Sequence, residues 1–171
     1  KIYRPLPTKK CKEVLGISDD SFLITYIGNL FPQRFPIETI AEVKNISRRH
    51  PDVKLAIYAP SSIQNRRIAV RLDKLLTDSR INHHVRVLNL SETDKVMLYN
   101  ASNVVIFPFL KEIPGIIAVD PPLTILEAMA CEKIVLASRT LSVTDVVQDQ
   151  ENGFLMEPGD FQAFRTKLEY V

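Results

Sequence analysis

The sequence predicts an α/β domain with a Rossmann-like, doubly wound parallel sheet of about six strands and helices on both faces. Short apolar segments rich in β-branched residues alternate along the chain with longer segments that have helical spacing. The short segments are apolar at most positions and do not alternate with polar ones, which is typical of parallel strands buried on both faces. In such a sheet, a ligand binds at the carboxyl ends of the strands, where the strand order switches.

The first half of the chain contains three of the predicted strands. Residues 22–28 form an apolar, β-branched run that ends at a glycine, and similar runs occupy residues 53–59 and 85–90. Between them, residues 37–49 and 62–77 carry apolar side chains three and four positions apart, which is the spacing of one helix face. The pattern therefore predicts two strand–helix repeats followed by a third strand.

The second half continues the alternation. Ser91 and Asp94 have the spacing of a capping box, which opens a predicted helix that ends at Ala101. The remaining predicted elements are strands at residues 103–107, 133–137 and 153–156, a short helix at residues 141–148, and a last helix that begins at Asp160.

Residues 120–130 are predicted to form a sharp turn followed by an apolar helix that contains one carboxylate. Asp120 suits the N-cap, and Pro122 suits the first helical position, where a missing N–H costs nothing. We expect little of this helix to face water, because one face carries Leu123, Leu126 and Ala130, with Ile125 and Met129 beside it.

An ionised Glu127 in these apolar surroundings needs partners, because an unpaired buried charge is costly. The amino end of a helix also attracts anions. Together they predict a ligand with phosphate and hydroxyl groups. The alternative is a packed core helix whose glutamate is bridged by water.

Three loops at the predicted carboxyl edge are candidates for binding. Residues 28–36 place Arg34 where it can bind phosphate, although an ordinary turn is the alternative. Backbone groups around Leu90 can reach the edge of a nucleobase, and a simple helix cap is the alternative there. Residues 108–122 form a connection that is longer than a compact domain needs. Neither a Gly-x-Gly-x-x-Gly motif nor a Walker loop occurs, which argues against dinucleotide enzymes and P-loop nucleotidases.

The composition is that of an ordinary soluble globular protein, with 46% hydrophobic residues and a net charge of +2. This charge gives no reason to expect nucleic acid as a partner. Cys11 and Cys131 are predicted to be free thiols in a reducing compartment, and no zinc-ligand spacing occurs. We expect a cytoplasmic location. Peripheral attachment to the cytoplasmic face of the membrane is the alternative.

The chain resembles the C-terminal, donor-binding domain of retaining GT-B glycosyltransferases of group 1, a family that includes mannosyl-, glucosyl- and galactosyltransferases. The most specific part of the resemblance is Leu123-Thr124-Ile125-Leu126-Glu127-Ala128-Met129-Ala130, followed by Ile134-Val135-Leu136-Ala137. Further matching segments are Tyr26-Ile27-Gly28, Asn152-Gly153-Phe154-Leu155 and Pro158-Gly159-Asp160. The resemblance implies one half of a GT-B fold and a mannosyltransferase-like transferase.

The resemblance also implies a role for individual residues. Glu127 would accept hydrogen bonds from the ribose hydroxyls of a nucleotide-sugar, and the backbone N–H groups of Leu123 and Thr124 would bind its diphosphate. Gly28 matches the family's glycine after the first strand, and Arg34 matches its phosphate-binding lysine.

Two departures from the family pattern concern the donor site. Asn29 stands where the family usually has arginine, so Asn29 would line the site without supplying the second phosphate cation. Val119 stands where the family has an acidic residue linked to catalysis, and the adjacent Asp120 is the candidate replacement. These departures motivate an alternative function, a catalytically silent nucleotide-binding homologue. A nucleotide-sugar epimerase of the GT-B fold is a second alternative.

The resemblance implies the following organisation. Residues 1–20 would be an interdomain linker and leader, and residues 21–171 would be the nucleotide-sugar-binding domain. A saccharide or lipid-linked acceptor would bind through an N-terminal domain that is absent from this chain, so the fragment alone is expected to be inactive. The reaction would transfer a hexose with retention, without a metal or other cofactor. The resemblance specifies neither the sugar, the base nor the oligomeric state.

Overall fold

A computed structural model describes residues 2–59, 70, 84–86, 91–110 and 123–171 of the chain. The helices of this part are α1 (Thr8–Val14), α2 (Glu38–Ser47), α3 (Glu92–Ala101), α4 (Leu123–Ala130), α5 (Leu141–Thr144) and α6 (Phe161–Tyr170). The strands are β1 (Phe22–Ile27), β2 (Val53–Tyr58), β3 (His84–Arg86), β4 (Val104–Phe107), β5 (Ile134–Ser138) and β6 (Phe154–Met156).

The six strands form one sheet in the order β3-β2-β1-β4-β5-β6, and every neighbouring pair is parallel. This order confirms the predicted Rossmann-like class. The chain winds outward from β1 through β2 to β3, then returns to place β4 on the other side of β1. The switch point therefore lies between the carboxyl ends of β1 and β4.

Each face of the sheet supports its own hydrophobic core. On one face, alternate residues of the strands pack with the buried side chains of α2 and α6, among them Val43 and Phe164. On the other face, the intervening residues pack with α1, α3, α4 and α5, where Tyr99, Ile125 and Val143 are buried. Burial on both faces explains why the central strands are mostly apolar on both sides.

Buried polar contacts fix the junction of β1 and β4. The side-chain oxygen of Asn103 accepts a hydrogen bond from the backbone N–H of Leu23 at 2.9 Å. The hydroxyls of Ser102 and Thr25 lie 2.6 Å apart and are fully buried. Because these groups bond to one another directly, they hold the two strands on either side of the switch point in register.

The caps that the sequence predicts for α3 and α6 are confirmed. Ser91 and Asp94 form the capping box of α3, and the Asp160 carboxylate accepts a hydrogen bond from the N–H of Ala163 at the start of α6. Of the predicted helix at 62–77 the structure describes Val70 alone, which is helical and 72% exposed. Within the predicted strand at 85–90, residues 87–90 lie outside the described part.

Two local expectations differ from the structure. The helix predicted at residues 141–148 ends at Thr144, and the following turn is held by a hydrogen bond from the N–H of Gln148 to the side-chain oxygen of Asn152. Helix α1 was not predicted, because its sequence is mostly polar. It is anchored by Cys11, which is 1% exposed, and by the Lys12 ammonium, which donates to the carbonyl oxygen of Ser21 at 2.6 Å.

Candidate functional site

Glu127 lies in the middle of α4 and has two protein partners. Its Oε2 accepts a hydrogen bond from the hydroxyl of Tyr99 at 2.8 Å, and its Oε1 lies 3.3 Å from the Lys95 ammonium. Both ionic side chains are 16% exposed. An ionised carboxylate offers about four acceptor positions, and these two contacts use two of them. Glu127 is therefore oriented by protein partners and retains acceptor positions for further donors.

The partners of Glu127 come from α3, where Lys95 and Tyr99 are one turn apart on the same side of the helix. Tyr99 is fully buried, and its hydroxyl also lies 3.2 Å from the carbonyl oxygen of Thr124. Burial, followed by the negative charge of Glu127, raises the pKa of the Tyr99 hydroxyl above its usual range. Tyr99 therefore remains a hydrogen-bond donor at every physiological pH.

Neither residue was predicted from the sequence. The spacing of Lys95 and Tyr99 is a common one for solvent-facing helix residues, and both lie about thirty positions from Glu127 along the chain. Only the docking of α3 beside α4 brings them together. The one signal in the sequence was indirect, because an isolated glutamate on an apolar helix requires partners from elsewhere.

The prediction that little of α4 faces water is wrong. Ile125 and Ala128 are fully buried, whereas Leu123 is 74% exposed and Leu126 is 40% exposed. The helix packs on the sheet through the row that continues to the buried Cys131, because three-residue steps keep these side chains on one face. The other face of α4 is therefore exposed, although its residues are apolar.

The chain path places the start of α4 at the carboxyl edge of the sheet. Helix α4 connects β4 to the parallel strand β5, so it must run back from the carboxyl edge to the amino edge. Leu123 and Thr124 form its first turn, where backbone N–H groups have no intrahelical partner. Helix α3 likewise begins at this edge, since it connects β3 to β4. Glu127 and Lys95 therefore lie one turn inside the edge at which Rossmann-like domains bind ligands.

The loop after β1 is held closely to the sheet at Gly28. The N–H of Gly28 donates to the carbonyl oxygen of Tyr58 at 3.0 Å, and the hydroxyl of Tyr26 donates to the carbonyl oxygen of Asn29 at 2.6 Å. A Cβ atom at Gly28 would lie 3.0 Å from the Tyr26 hydroxyl oxygen. The position therefore has no room for a side chain unless Tyr26 moves, and the Asn29 bond depends on Tyr26.

Arg34 is positioned at the switch point by the loop after β4. Its guanidinium carbon lies 5.0 Å from the centre of the Phe109 ring, in cation–π geometry. The N–H of Leu110 donates to the carbonyl oxygen of Gln33 at 2.8 Å, which ties the loops after β1 and β4 together. Within the described residues, Arg34 forms no ion pair with a carboxylate. Its positive charge therefore lies beside the switch point, where it contacts the face of the Phe109 ring.

The structure describes most of the predicted site. It joins Gly28, Asn29 and Arg34 in one loop, and it joins Thr124 and Glu127 to α3. Leu90 and Asp120 lie outside the described residues, as do Val119 and residues 121–122. That Arg34 and the first N–H groups of α4 converge on one point stays a prediction.

Among the residues that the structure describes, no three histidine, cysteine, aspartate or glutamate side chains are grouped so that they could hold a metal ion. In the same residues, no helix is both long enough and apolar enough to cross a membrane.

Comparison with known proteins gives a family match over nearly the whole chain. The profile of the family described as glycosyl transferases group 1 matches residues 7–171. The capsular polysaccharide biosynthesis glycosyltransferase CapM of Staphylococcus aureus is 29% identical over 151 residues, covering 88% of this chain and 37% of CapM. The chain spans 35 to 40% of the length of four curated relatives that it matches, CapM among them.

Solved structures share the fold. The C-terminal domain of the glycosyl transferase group 1 family protein LpcC from Francisella tularensis superposes with a TM-score of 0.80 at 18% identity, covering 99% of this chain and 84% of that one. Anabaena HepE, solved in complex with UDP and glucose, gives a TM-score of 0.76 at 20% identity, covering 99% of this chain and 44% of HepE.

Proposed function

The chain belongs to the glycosyl transferases group 1 family, and from this premise we propose that it is the donor-binding domain of a glycosyltransferase. The donor is a nucleoside-diphosphate sugar, and the group transferred is a hexose, with retention of configuration. The observation that carries the proposal is Glu127, a charged carboxylate oriented by two protein partners one turn inside the carboxyl edge of the sheet.

The donor site has two parts with different chemistry. Glu127 accepts the ribose hydroxyls, because each of its oxygens retains an acceptor position. Arg34 and the backbone N–H groups of Leu123 and Thr124 bind the diphosphate, since a guanidinium and a helix amino end both favour phosphate. Gly28 lets the loop backbone approach the ligand, and Asn29 and Leu90 contribute further contacts along it.

The reaction places negative charge on the departing diphosphate. Arg34 and the amino end of α4 stabilise this charge, which is the electrostatic contribution expected of fixed donors aimed at a leaving group. The scheme needs no metal or organic cofactor. Because the chain spans little more than a third of its curated relatives, we place the acceptor, a saccharide or a lipid-linked saccharide, on a part of the protein outside these residues.

Asp120 is the proposed acid on the catalytic side of the donor sugar. It replaces the acid that the family has at the position of Val119, and it competes with its own role as cap of the following helix. In the complete enzyme, Asp120→Asn should abolish transfer if the acid acts on the sugar. If Asp120 is only a cap, Asp120→Asn should keep its turnover, because asparagine caps a helix as well as aspartate does, and Asp120→Ala should lose about 1 kcal/mol of stability.

A catalytically silent nucleotide-binding protein is the competing function. Asn29 favours it, because the site then has one phosphate cation fewer than the family usually has. Both functions predict nucleotide binding, and only the transferase predicts transfer by the complete protein.

Calorimetric titration of the chain with UDP-, GDP- and ADP-sugars tests donor binding and identifies the base. The hexose, mannose included, follows from comparing sugars on the preferred base. Glu127→Gln should weaken nucleotide binding by about 1.5–3 kcal/mol, because it replaces charge-assisted hydrogen bonds with neutral ones. Inorganic pyrophosphate, which has no ribose, should bind the variant and the original chain alike. An unchanged nucleotide affinity in Glu127→Gln would refute the ribose role.

A further inference from the structure

Residues 2–7, here called the N-terminal strap, lie against α3. Asn100 of α3 is fully buried and makes two bonds to the strap. Its side-chain oxygen accepts from the N–H of Leu6 at 2.8 Å, and its side-chain nitrogen donates to the carbonyl oxygen of Arg4 at 3.0 Å. A buried amide whose bonds are satisfied in this way specifies one position for the segment that it binds.

The N-terminal strap places Tyr3 against Lys95 and Tyr99, the two residues that orient Glu127. The Tyr3 ring meets the Tyr99 ring edge-on, with centroids 5.9 Å apart and an interplanar angle of 74°. The Lys95 ammonium lies 5.4 Å from the centre of the Tyr3 ring and 3.3 Å from Oε1 of Glu127. One cation therefore contacts the face of Tyr3 and the candidate ribose carboxylate together.

We propose that Tyr3 is a positioning residue for the donor site, which acts on Glu127 through Lys95 and makes nucleotide affinity depend on the seating of the N-terminal strap. This inference rests on the proposed function, in which Glu127 accepts hydrogen bonds from the ribose hydroxyls. It adds a residue and a segment far from the phosphate loops to the determinants of donor binding.

The physical reason is the freedom of a lysine side chain. Lysine loses up to about 2 kcal/mol of rotamer entropy when it is ordered, so a single ion pair holds it weakly. The ring of Tyr3 supplies a second attraction on the same ammonium, and cation–π contacts strengthen when they are shielded from water. With the ring in place, Glu127 keeps one orientation and the ligand does not have to order it on binding.

The chain provides a sharp test in three substitutions of tyrosine. Tyr3→Leu keeps an apolar side chain and removes the aromatic face, whereas Tyr3→Phe keeps the face. Tyr170→Leu is the matched control, because the Tyr170 ring is 79% exposed and meets Phe154 at 5.8 Å and 74°. UDP and inorganic pyrophosphate are the probes, titrated by calorimetry into the chain. If GDP or ADP is the better ligand, it replaces UDP.

We expect Tyr3→Leu to weaken UDP binding by about three- to tenfold, with Tyr3→Phe restoring most of the affinity and Tyr170→Leu changing nothing. Pyrophosphate should bind all four proteins alike, because it does not touch Glu127. In a Lys95→Met background, Tyr3→Leu should have no further effect on UDP, since coupled residues are not additive.

Three results would overturn the inference: UDP affinity unchanged in Tyr3→Leu, an equal loss in Tyr3→Phe, or an equal loss for pyrophosphate. If the chain bound none of the nucleotides, the proposed function itself would fail. If Glu127→Gln weakened binding and Tyr3→Leu did not, only the role of Tyr3 would fail.

Discussion

Tyr99→Phe isolates the hydrogen bond that orients Glu127. The substitution removes only the hydroxyl, which donates to the Glu127 carboxylate at 2.8 Å and lies 3.2 Å from the Thr124 carbonyl oxygen. The ring stays in the core and keeps its edge contact with Tyr3. A hydrogen bond to a charged group contributes about 1.5–3 kcal/mol. Since Glu127 is 16% exposed and water can replace part of the bond, we expect the free energy of unfolding to fall by about 1.5–2 kcal/mol at pH 7.

The pH dependence gives the prediction a second, independent test. Burial and the charge of Glu127 raise the pKa of Tyr99 in the folded protein, while the unfolded chain keeps the ordinary value of 10.0. Above pH 10 the unfolded state therefore holds fewer protons than the folded state, and stability falls as pH rises. One such group changes the free energy of unfolding by up to about 1.4 kcal/mol per pH unit. The variant lacks this group, so its deficit should shrink above pH 10.

Urea denaturation of both proteins at pH 7 and at pH 11 measures the two effects, and an unchanged m-value shows that the comparison is valid. Groups that the two proteins share contribute to both, so their contributions cancel in the difference. A deficit below about 0.5 kcal/mol at pH 7 would show that the bond does not orient Glu127. A deficit that stays constant between pH 7 and pH 11 would contradict the raised pKa.

Two further predictions concern packing and the phosphate loop. Gly153→Ala should destabilise the chain by about 1–3 kcal/mol in urea denaturation. The new Cβ would lie 2.8 Å from Cγ1 of Val147 and 3.0 Å from the carbonyl oxygen of Val135. A stability equal to that of the original chain would show that β5 and β6 can separate at no cost. Arg34→Met should weaken pyrophosphate and UDP binding alike by about tenfold or more, with Arg34→Lys in between, and an unchanged pyrophosphate affinity would remove Arg34 from the phosphate site.

The sequence alone determined the class of the fold and most element positions, because the responsible signals are local. Each signal lies within about a dozen positions, whether it is a run of apolar residues, apolar side chains three and four positions apart, or a capping residue. These signals predict β1, β2, α3 and α6. The capping residues Ser91 and Asp160 act on N–H groups three positions away. Glu127 stood out for a local reason too, as a charge in an apolar helix.

Only the tertiary structure decided what surrounds that charge. The partners Lys95 and Tyr99 are 32 and 28 positions from Glu127, and the bond between Leu6 and Asn100 joins residues 94 positions apart. Such contacts depend on which helices the sheet places side by side, and this is set by crossover connections and two-sided packing. The same cause explains why Leu123 is exposed and Cys11 is buried. A side chain's surroundings are fixed by the neighbouring elements, which its own segment does not specify.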